Sequence, residues 1–332
     1  MAVKKVLVTG GAGYIGSHAC KALAKAGYLP VTYDSLVTGH REAVKWGPLE
    51  VGDTRDQARL GEVIRKYHPA AVMHFAAFIA VGESVQDPAK YYDNNLFGSL
   101  TLLQAMRDNG LDKIVFSSTA AVYGEPETSV ISENHPKHPI NPYGFSKYAV
   151  EVMLADFATA HGLRSVALRY FNAAGADPDG EIGEGHDPET HLIPIVLEAA
   201  GGQRDFVQIF GDSYATKDGT CVRDYIHVSD LADAHVRALD YMKDNEGAAA
   251  FNLGNGNGFS VREIVDMASR VTGRTIQTRI GPARDGDSAV LIADFSRAAT
   301  ALGWVPKFTA VEDQVGHAWN WYQKQLGQPV GA

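Results

Sequence analysis

The stretch Val6-Leu7-Val8-Thr9-Gly10-Gly11-Ala12-Gly13-Tyr14-Ile15-Gly16 constrains this chain most, because an apolar run enters a glycine-rich turn that opens directly onto a helical pattern. A strand turning sharply into a helix needs backbone conformations and close approaches that a Cβ obstructs, and the helix N-terminus it creates attracts a pyrophosphate. Gly10, Gly13 and Gly16 therefore read as a dinucleotide cradle, with Tyr14 and Ile15 at the helix start. The context this requires continues in Asp34, which ends the next strand-like run 18 residues past Gly16. A carboxylate there accepts hydrogen bonds from ribose hydroxyls and repels a 2′-phosphate. No basic residue stands in Tyr33-Asp34-Ser35, so NAD is expected over NADP, with Ser35 beside the ribose. Asp53 and Thr54 follow the next strand-like end and are placed to meet the adenine. Asp53 reads equally as the N-cap of a helix over 55–67. Phe75, Ala76 and Ala77 close the strand after that and line the cofactor.

Strand-like runs at 6–9, 30–34, 71–75, 113–117 and 165–169 alternate with helical patterns at 15–26, 59–67, 91–109 and 144–160. That alternation predicts an α/β fold built on a Rossmann-type, doubly wound parallel sheet. After Asn172 the character changes. Residues 173–188 are rich in Gly, Asp and Pro, and shorter pieces follow without regular alternation. We read residues 1–172 as the cofactor domain and 173–332 as a smaller α/β substrate lobe, parts of which return to the first. In that lobe 229–243 and 261–272 read as helices, the second capped by Ser260 and closed by Gly273. The last five residues read as frayed. No low-complexity linker separates the lobes, which predicts a cleft between them.

At 332 residues and a net charge of −9, the chain lacks the clustered Lys and Arg of a nucleic-acid or membrane-binding surface. No apolar run approaches the ~18 residues that span a bilayer, and no signal peptide is expected before the first strand. Cys20 and Cys221 are the only cysteines, which fits neither a disulfide scaffold nor a CxxC zinc site, and points to a reducing cytoplasm. The densest group of possible metal ligands is Glu184, His186, Glu189 and His191. They lie in a loop with no helical i, i+4 pair, so loop solvation and nucleotide contact are expected there and no metal. His227 and His235 read as packed or solvated.

The pentapeptide Tyr143-Gly144-Phe145-Ser146-Lys147 puts a phenol and an ammonium on one helix face. A nearby cation stabilises the phenolate and brings a poor base toward working range. The same spacing also arises when an exposed aliphatic stem lies over a ring. Ser117-Ser118-Thr119 ends the fourth strand, at the edge of an open α/β sheet where ligands bind. Thr119, Tyr143 and Lys147 thus form a candidate catalytic hydroxyl relay beside a nicotinamide.

With TGxxGxxG at residues 9–16 and YxxxK at Tyr143 and Lys147, the sequence resembles the extended short-chain dehydrogenase/reductase family. The likeness is closest to members that epimerise nucleotide sugars. It is carried by His74-Phe75-Ala76-Ala77, Val81-Gly82-Glu83-Ser84, Tyr91-Tyr92-Asp93-Asn94-Asn95, Arg169-Tyr170-Phe171-Asn172, Thr190-His191-Leu192-Ile193-Pro194 and residues 219–228. The resemblance implies NAD-dependent inversion at C4 of a UDP-hexose through a transient 4-keto sugar. It assigns Tyr143 as the base at the sugar 4-hydroxyl, Lys147 as the group that lowers its pKa and holds the nicotinamide ribose, and Thr119 as hydroxyl partner. Asn94 and Phe171 join the cofactor set. Arg223, Arg284 and Asp287 match diphosphate and ribose positions, Asn172 and Leu192 nucleotide-sugar positions, and Tyr214 the stretch facing uracil.

Three departures from the family pattern stand out. Ile79 sits where some members place a Lys near the cofactor phosphates, so the glycine loop must bind more of that charge. His191 replaces an Asn. Leu291 occupies the position that gates N-acetylated sugars, where its intermediate size favours exclusion. The resemblance also implies a homodimer pairing helices near 94–107 and 142–160. Rival readings remain. A 4,6-dehydratase would carry Asp-Glu after the Thr, where this chain has Ala120 and Ala121. A UDP-sugar decarboxylase would need a cation at C6, a non-catalytic NAD sensor would tend to lose the Tyr or Lys, and a UDP-xylose/UDP-arabinose epimerase would use the same residues.

Overall fold

The computed structural model describes residues 3–284 and 287–327; the five residues read as frayed lie outside that set. Through the first half the chain runs β1 (Lys5–Thr9), α1 (Tyr14–Lys25), β2 (Leu29–Asp34), β3 (Leu49–Val51), α2 (Gln57–Tyr67), β4 (Ala71–His74), α3 (Val81–Gln86), α4 (Pro88–Tyr91), α5 (Gly98–Asp108), β5 (Lys113–Thr119), β6 (Val130–Ile131), α6 (Pro142–His161) and β7 (Arg164–Tyr170). It continues through β8 (Asn172–Ala174), α7 (Leu192–Ala200), β9 (Val207–Phe210), β10 (Val222–His227), α8 (Val228–Asp244), β11 (Ala248–Leu253), β12 (Gly258–Ser260), α9 (Val261–Thr272), β13 (Thr278–Gly281), β14 (Val290–Ala293), α10 (Ser296–Leu302) and α11 (Val311–Gln325).

Seven parallel strands form the main sheet in the order β11-β7-β5-β4-β1-β2-β3. Their near-continuous apolar runs suit strands buried on both faces. In β1, for example, Val6, Leu7 and Val8 have no exposed surface. One face packs α1 and α8 over Val6, Val8, Met73 and Leu168, and the other packs α2, α5 and α6 over Leu7, Val72, Ile114 and Phe116. Each such fully buried aliphatic side chain contributes about 2 kcal/mol of transfer free energy. Strand order reverses between β1 and β4. In a doubly wound sheet that reversal opens a crevice at the carboxyl ends, and Thr9, His74 and Thr119 all sit at that edge.

A second sheet runs β12-β10-β14-β6 with β8 beside β10, and β9 pairs with β13. The cofactor sheet takes its last strand, β11, and the helix α8 from beyond Asn172. Helix α9 starts with the expected cap: Ser260 Oγ accepts the Glu263 N–H at 3.1 Å, and the Glu263 carboxylate reaches back to the Ser260 N–H at 2.8 Å. Gly273, at φ +67°, closes it.

The reading of one helix over 91–109 is corrected. The chain breaks there into α4, a π-helical segment Tyr92–Phe97 and α5. Asn95 accounts for the break: its amide accepts from Phe78 N–H and donates to the Phe78 carbonyl, both at 2.9 Å, drawing the loop after β4 onto the bulge.

Candidate active site

Backbone geometry builds the glycine turn. Gly10 has φ +74°, and a Cβ there would lie 2.6 Å from the Ala76 nitrogen; a Cβ on Gly16 would lie 2.1 Å from the Gly10 carbonyl oxygen. Both glycines are fixed by packing within the chain. Gly13 differs, since a Cβ there meets only the Gly10 oxygen at 3.4 Å, leaving room in front of the helix. Gly13 is also the N-cap of α1, with no side chain capping it and no acidic residue in the first turn. The orphaned N–H groups of Tyr14 and Ile15 and the helix dipole thus face that room, and a pyrophosphate suits both.

Asp34 ends β2 buried, its Oδ2 accepting the Ala12 N–H at 3.0 Å and its Oδ1 the Leu36 N–H at 2.8 Å. Each oxygen keeps a lone pair for a ribose hydroxyl. Ser35 beside it is exposed. These residues fit a dinucleotide that has two ribose hydroxyls and no 2′-phosphate.

Other expected cofactor residues are engaged within the chain. Tyr14 Oη donates to the Gly175 carbonyl at 2.6 Å, which leaves the backbone of Tyr14 to face a ligand. Asp53 does not cap α2. Asp56 does, accepting the Arg59 N–H at 2.9 Å, because the helix begins at Gln57. Asp53 instead chelates Arg55, whose guanidinium holds the Asp53 carboxyl below its ordinary range and also pairs with Asp93. Thr54 is buried beneath Gly98. Phe75 and Ala76 hang their N–H groups on the Thr9 carbonyl, at 2.9 and 3.1 Å, and Ala77 follows half-buried. Asn94 donates to the Asn95 amide oxygen at 2.9 Å. Ile79 is exposed.

The catalytic candidates converge where β5 and α6 meet. Pro142 takes the first position of α6 and Asn141 Oδ1 caps it through the Gly144 N–H at 2.8 Å, so Tyr143 and Lys147 fall in its first two turns. Thr119 ends β5, buried, its Oγ1 accepting the Ala121 N–H at 3.2 Å. Burial raises the Tyr143 phenol above its ordinary value, and a hydrogen bond with the Thr119 hydroxyl pulls it back. Lys147, 3 % exposed, sits above the Phe116 ring and donates from Nζ to the Ser117 carbonyl at 2.9 Å. Burial lowers its pKa to about 7. An ammonium with one bonded proton keeps two donors for a ligand, such as ribose hydroxyls.

The opposite wall comes from β8, β10 and β14. Asn172 donates to the Asp224 carbonyl at 3.0 Å, in register beside Tyr225. Arg223 pairs with the Asp287 carboxylate and donates to the Ser288 carbonyl at 2.8 Å, while its strand neighbour is Leu291. Leu291 and Phe171 are partly buried and both pack against the small cluster of Ala120, Val122, Tyr123 and Ile131. Tyr214 has a buried hydroxyl with no partner among the described residues, and Arg223, Arg284 and Asp287 act on it electrostatically. Arg284 lies exposed over the Phe210 ring at 4.0 Å. His191 precedes α7, Leu192 begins it, and His191 Nδ1 meets Glu184 Oε1 at 2.6 Å.

Several supporting residues escaped the sequence reading. Buried Arg169 pairs with buried Glu151 and donates to Tyr123 Oη at 2.9 Å, and His74 bridges Thr9 Oγ1 at 2.6 Å and Ser99 Oγ at 2.8 Å. A signal existed: Arg169 stands in an otherwise apolar strand, and a buried Arg demands a carboxylate. Asn95 falls on the buried stripe of Tyr91, Ser99 and Leu102, again a polar residue on an apolar face.

A model of the NAD dependent epimerase/dehydratase family matches residues 6–254. The chain is 52 % identical over 324 residues to the UDP-glucose 4-epimerase of Rhizobium leguminosarum bv. trifolii, an alignment covering 98 % of this chain and 99 % of that one. It is also similar to the crystal structure of the UDP-glucose 4-epimerase of Brucella ovis in complex with NAD, with 53 % identity, a TM-score of 0.94 and coverage of 96 % and 98 %. The Bifidobacterium longum UDP-glucose 4-epimerase in complex with NAD+ and UDP matches with 40 % identity, a TM-score of 0.93 and coverage of 97 % and 99 %.

Proposed function

Because this chain belongs to the NAD dependent epimerase/dehydratase family, we propose that it is an NAD-dependent isomerase that inverts C4 of a UDP-hexose, interconverting UDP-galactose and UDP-glucose. The observation that carries this reading is Thr119, Tyr143 and Lys147 at the carboxyl edge of the sheet that also bears the uncapped glycine turn. Ala120 and Ala121 follow Thr119, so the site offers no carboxylate there for the elimination step of a dehydratase.

The Gly10–Gly16 turn and the α1 N-terminus would hold the pyrophosphate, Asp34 and Lys147 the two riboses, and Phe75, Ala76 and Phe171 the remaining surface. Bound NAD would supply a two-electron acceptor for the hydride of sugar C4 and the donor that returns it, with no net oxidation. Tyr143 Oη takes the proton from the sugar 4-hydroxyl and returns it, and Thr119 Oγ1 holds the oxygen in line. Burial disfavours a lone phenolate and a lone ammonium alike. A phenolate at Tyr143 and an ammonium at Lys147, one helical turn apart in sequence, would each offset part of the other's desolvation.

Arg223 supplies the cation for the UDP diphosphate, Asn172, His191 and Leu192 line its path, Arg284 and Asp287 flank it, and Tyr214 faces the uracil. The UDP bound in the Bifidobacterium relative supports a uridine nucleotide as the ligand. Leu291, partly buried against the cluster that includes Ala120, would narrow the space at the sugar and favour hexoses without an N-acetyl group. A homodimer is supported by an exposed apolar face where Tyr92 meets Phe145 edge-on and Phe97 and Val152 are open to solvent. Two free cysteines, and no described helix long and apolar enough to cross a membrane, support a cytoplasmic enzyme.

The test is to incubate the purified protein, without added cofactor, with UDP-galactose, UDP-arabinose and UDP-N-acetylgalactosamine separately. Conversion of UDP-galactose to UDP-glucose is expected. Failure to epimerise any of the three would overturn the proposal.

A further inference from the structure

The loop leading into α7 carries a cluster of which the epimerase reading uses only His191. Glu184, His186, Glu189 and His191 each present one nitrogen or oxygen, and those four atoms all lie within 4.8 Å of one another. His186 Nδ1 stands 3.1 Å from Glu184 Oε1 and 3.7 Å from Glu189 Oε2. His191 Nδ1 is hydrogen-bonded to Glu184 Oε1 at 2.6 Å and stands 3.5 Å from Glu189 Oε1, the other oxygen from the one that faces His186. Four donors bound tetrahedrally at about 2.0–2.1 Å are separated by about 3.3 Å, and the observed distances straddle that value.

The two carboxylates are shielded from solvent, whereas the His191 side chain is 44 % exposed. The carboxylate side chains of Glu184 and Glu189 are 7 % and 3 % exposed. Glu189 spends Oε1 on the N–H groups of Thr190 and His191, at 2.7 and 2.8 Å, and its Oε2 receives no hydrogen bond among the described residues. The buried Nδ1 of His186 likewise has no hydrogen-bond partner among them, although Glu184 is close. A short approach without hydrogen-bond direction is what lone pairs converging on a common centre produce. The frame around the donors is fixed from outside, by Trp321 Nε1 donating to the Glu184 carbonyl at 2.9 Å and by the Tyr14 ring edge-on to His186.

A neighbouring cluster sharpens the contrast. Asp177, Asp179 and Glu181 also gather their carboxylates, but Lys21 Nζ lies among them at 2.7, 2.8 and 2.6 Å, so that group already has its cation within the chain. The His-containing cluster has no Lys or Arg within it among the described residues; its carboxylates pair only with its own two imidazoles. Two imidazoles with two carboxylates form a donor set that suits zinc rather than calcium or magnesium, which take oxygen ligands throughout.

We propose that Glu184, His186, Glu189 and His191 bind one divalent transition-metal ion, zinc in preference, which clips the loop to the start of α7. With Nδ1 of His191 on the ion, its Nε2 carries the remaining proton and stays available as a donor. His191 is shared with the proposed UDP path, but the test reads metal binding without nucleotide sugar, so its failure is distinguishable from a failure of the epimerase reading. Full-length protein stripped with a chelator is titrated calorimetrically with zinc chloride alone, and with cobalt(II) chloride under visible absorption. One ion per chain at micromolar Kd or tighter is expected, with the intense cobalt spectrum of four-coordination. Glu189→Gln, which keeps side-chain size, and His186→Ala should each weaken binding at least tenfold while the metal-free circular dichroism spectrum is unchanged. A hundredfold excess of zinc over its Kd should raise the wild-type Tm by about 4 °C. Absence of stoichiometric binding, a weak six-coordinate cobalt spectrum, or wild-type affinity in Glu189→Gln would each overturn the proposal.

Discussion

The two walls of the crevice are made by different physics. On the cofactor side, backbone shapes the site: a positive φ at Gly10, a close approach at Gly16 and a helix end without a cap, with the Asp34 carboxylate held by backbone N–H groups. On the opposite side, paired charges shape it, with Arg223 on Asp287 and His191 on Glu184 and Glu189. Backbone geometry tolerates almost no substitution but is insensitive to salt. Side-chain pairs tolerate conservative change, and their worth depends on both partners remaining.

The sharpest way to break this contrast is at the junction of the two walls. Replacing Tyr143 with Phe should cut turnover on the order of 10³-fold or more while bound NAD, read from absorbance after denaturation, stays stoichiometric. Full activity in that variant would remove Tyr143 from its role. The next largest effect should come from the cradle. Gly16→Ala forces a Cβ onto the Gly10 carbonyl and should destabilise the fold by about 3 kcal/mol in urea titrations. Gly13→Ala, with room for its methyl, should leave the fold stable and lose NAD. Equal destabilisation by both would refute the distinction between a packed and a ligand-facing glycine.

On the charged wall, Arg223→Met should raise KM for the UDP-sugar roughly tenfold to a hundredfold with a smaller change in kcat, because it removes a charge-assisted contact made in ground and transition states alike. Steady-state kinetics decide it. The smallest effect concerns Lys147. Its pKa falls to about 7 in the folded protein, below the unfolded value near 10.5, so between those values the unfolded state binds more protons and stability rises with pH. Cofactor-free protein should gain up to ~1.4 kcal/mol, or about 2 °C in Tm, per pH unit across that window. Lys147→Met should flatten the slope and raise Tm at pH 7; an unchanged slope would show that the ammonium is not desolvated.

The same contrast explains what the sequence made legible. The cradle, Asp34 and the Tyr143–Lys147 spacing were readable because their requirements are local: a glycine for a positive φ, a carboxylate at a strand end, two residues one helical turn apart. Asn95 and the π-helical break were not, since a continuous 3.6-residue pattern runs through 91–109 and only the distant Phe78 backbone selects the bulge. The pairing of Arg169 with Glu151 joins a strand to a helix, and periodicity carries no partner information. Spacing alone argued against a metal at 184–191 because the ligands share no helical face. The loop turns back on itself and gathers them, a tertiary event with no one-dimensional signature. Asp53 read as a cap because it precedes a helical pattern, but Asp56 stands nearer the first turn.

The position of β11 bears on how the molecule is made. Translation delivers β1 through β7 first, yet the main sheet keeps an open edge along β7 until residues 248–253 leave the ribosome. The intervening chain supplies most of the charged wall and α8, which covers Val6, Val8 and Leu168 on one face. A nascent chain stopped at residue 172 therefore exposes a long unpaired strand and an uncovered apolar face, the two features that most invite aggregation. A chain cut at residue 172 lacks both the strand that closes the β7 edge and the helix that covers that face, so it is expected to be less soluble than the whole chain.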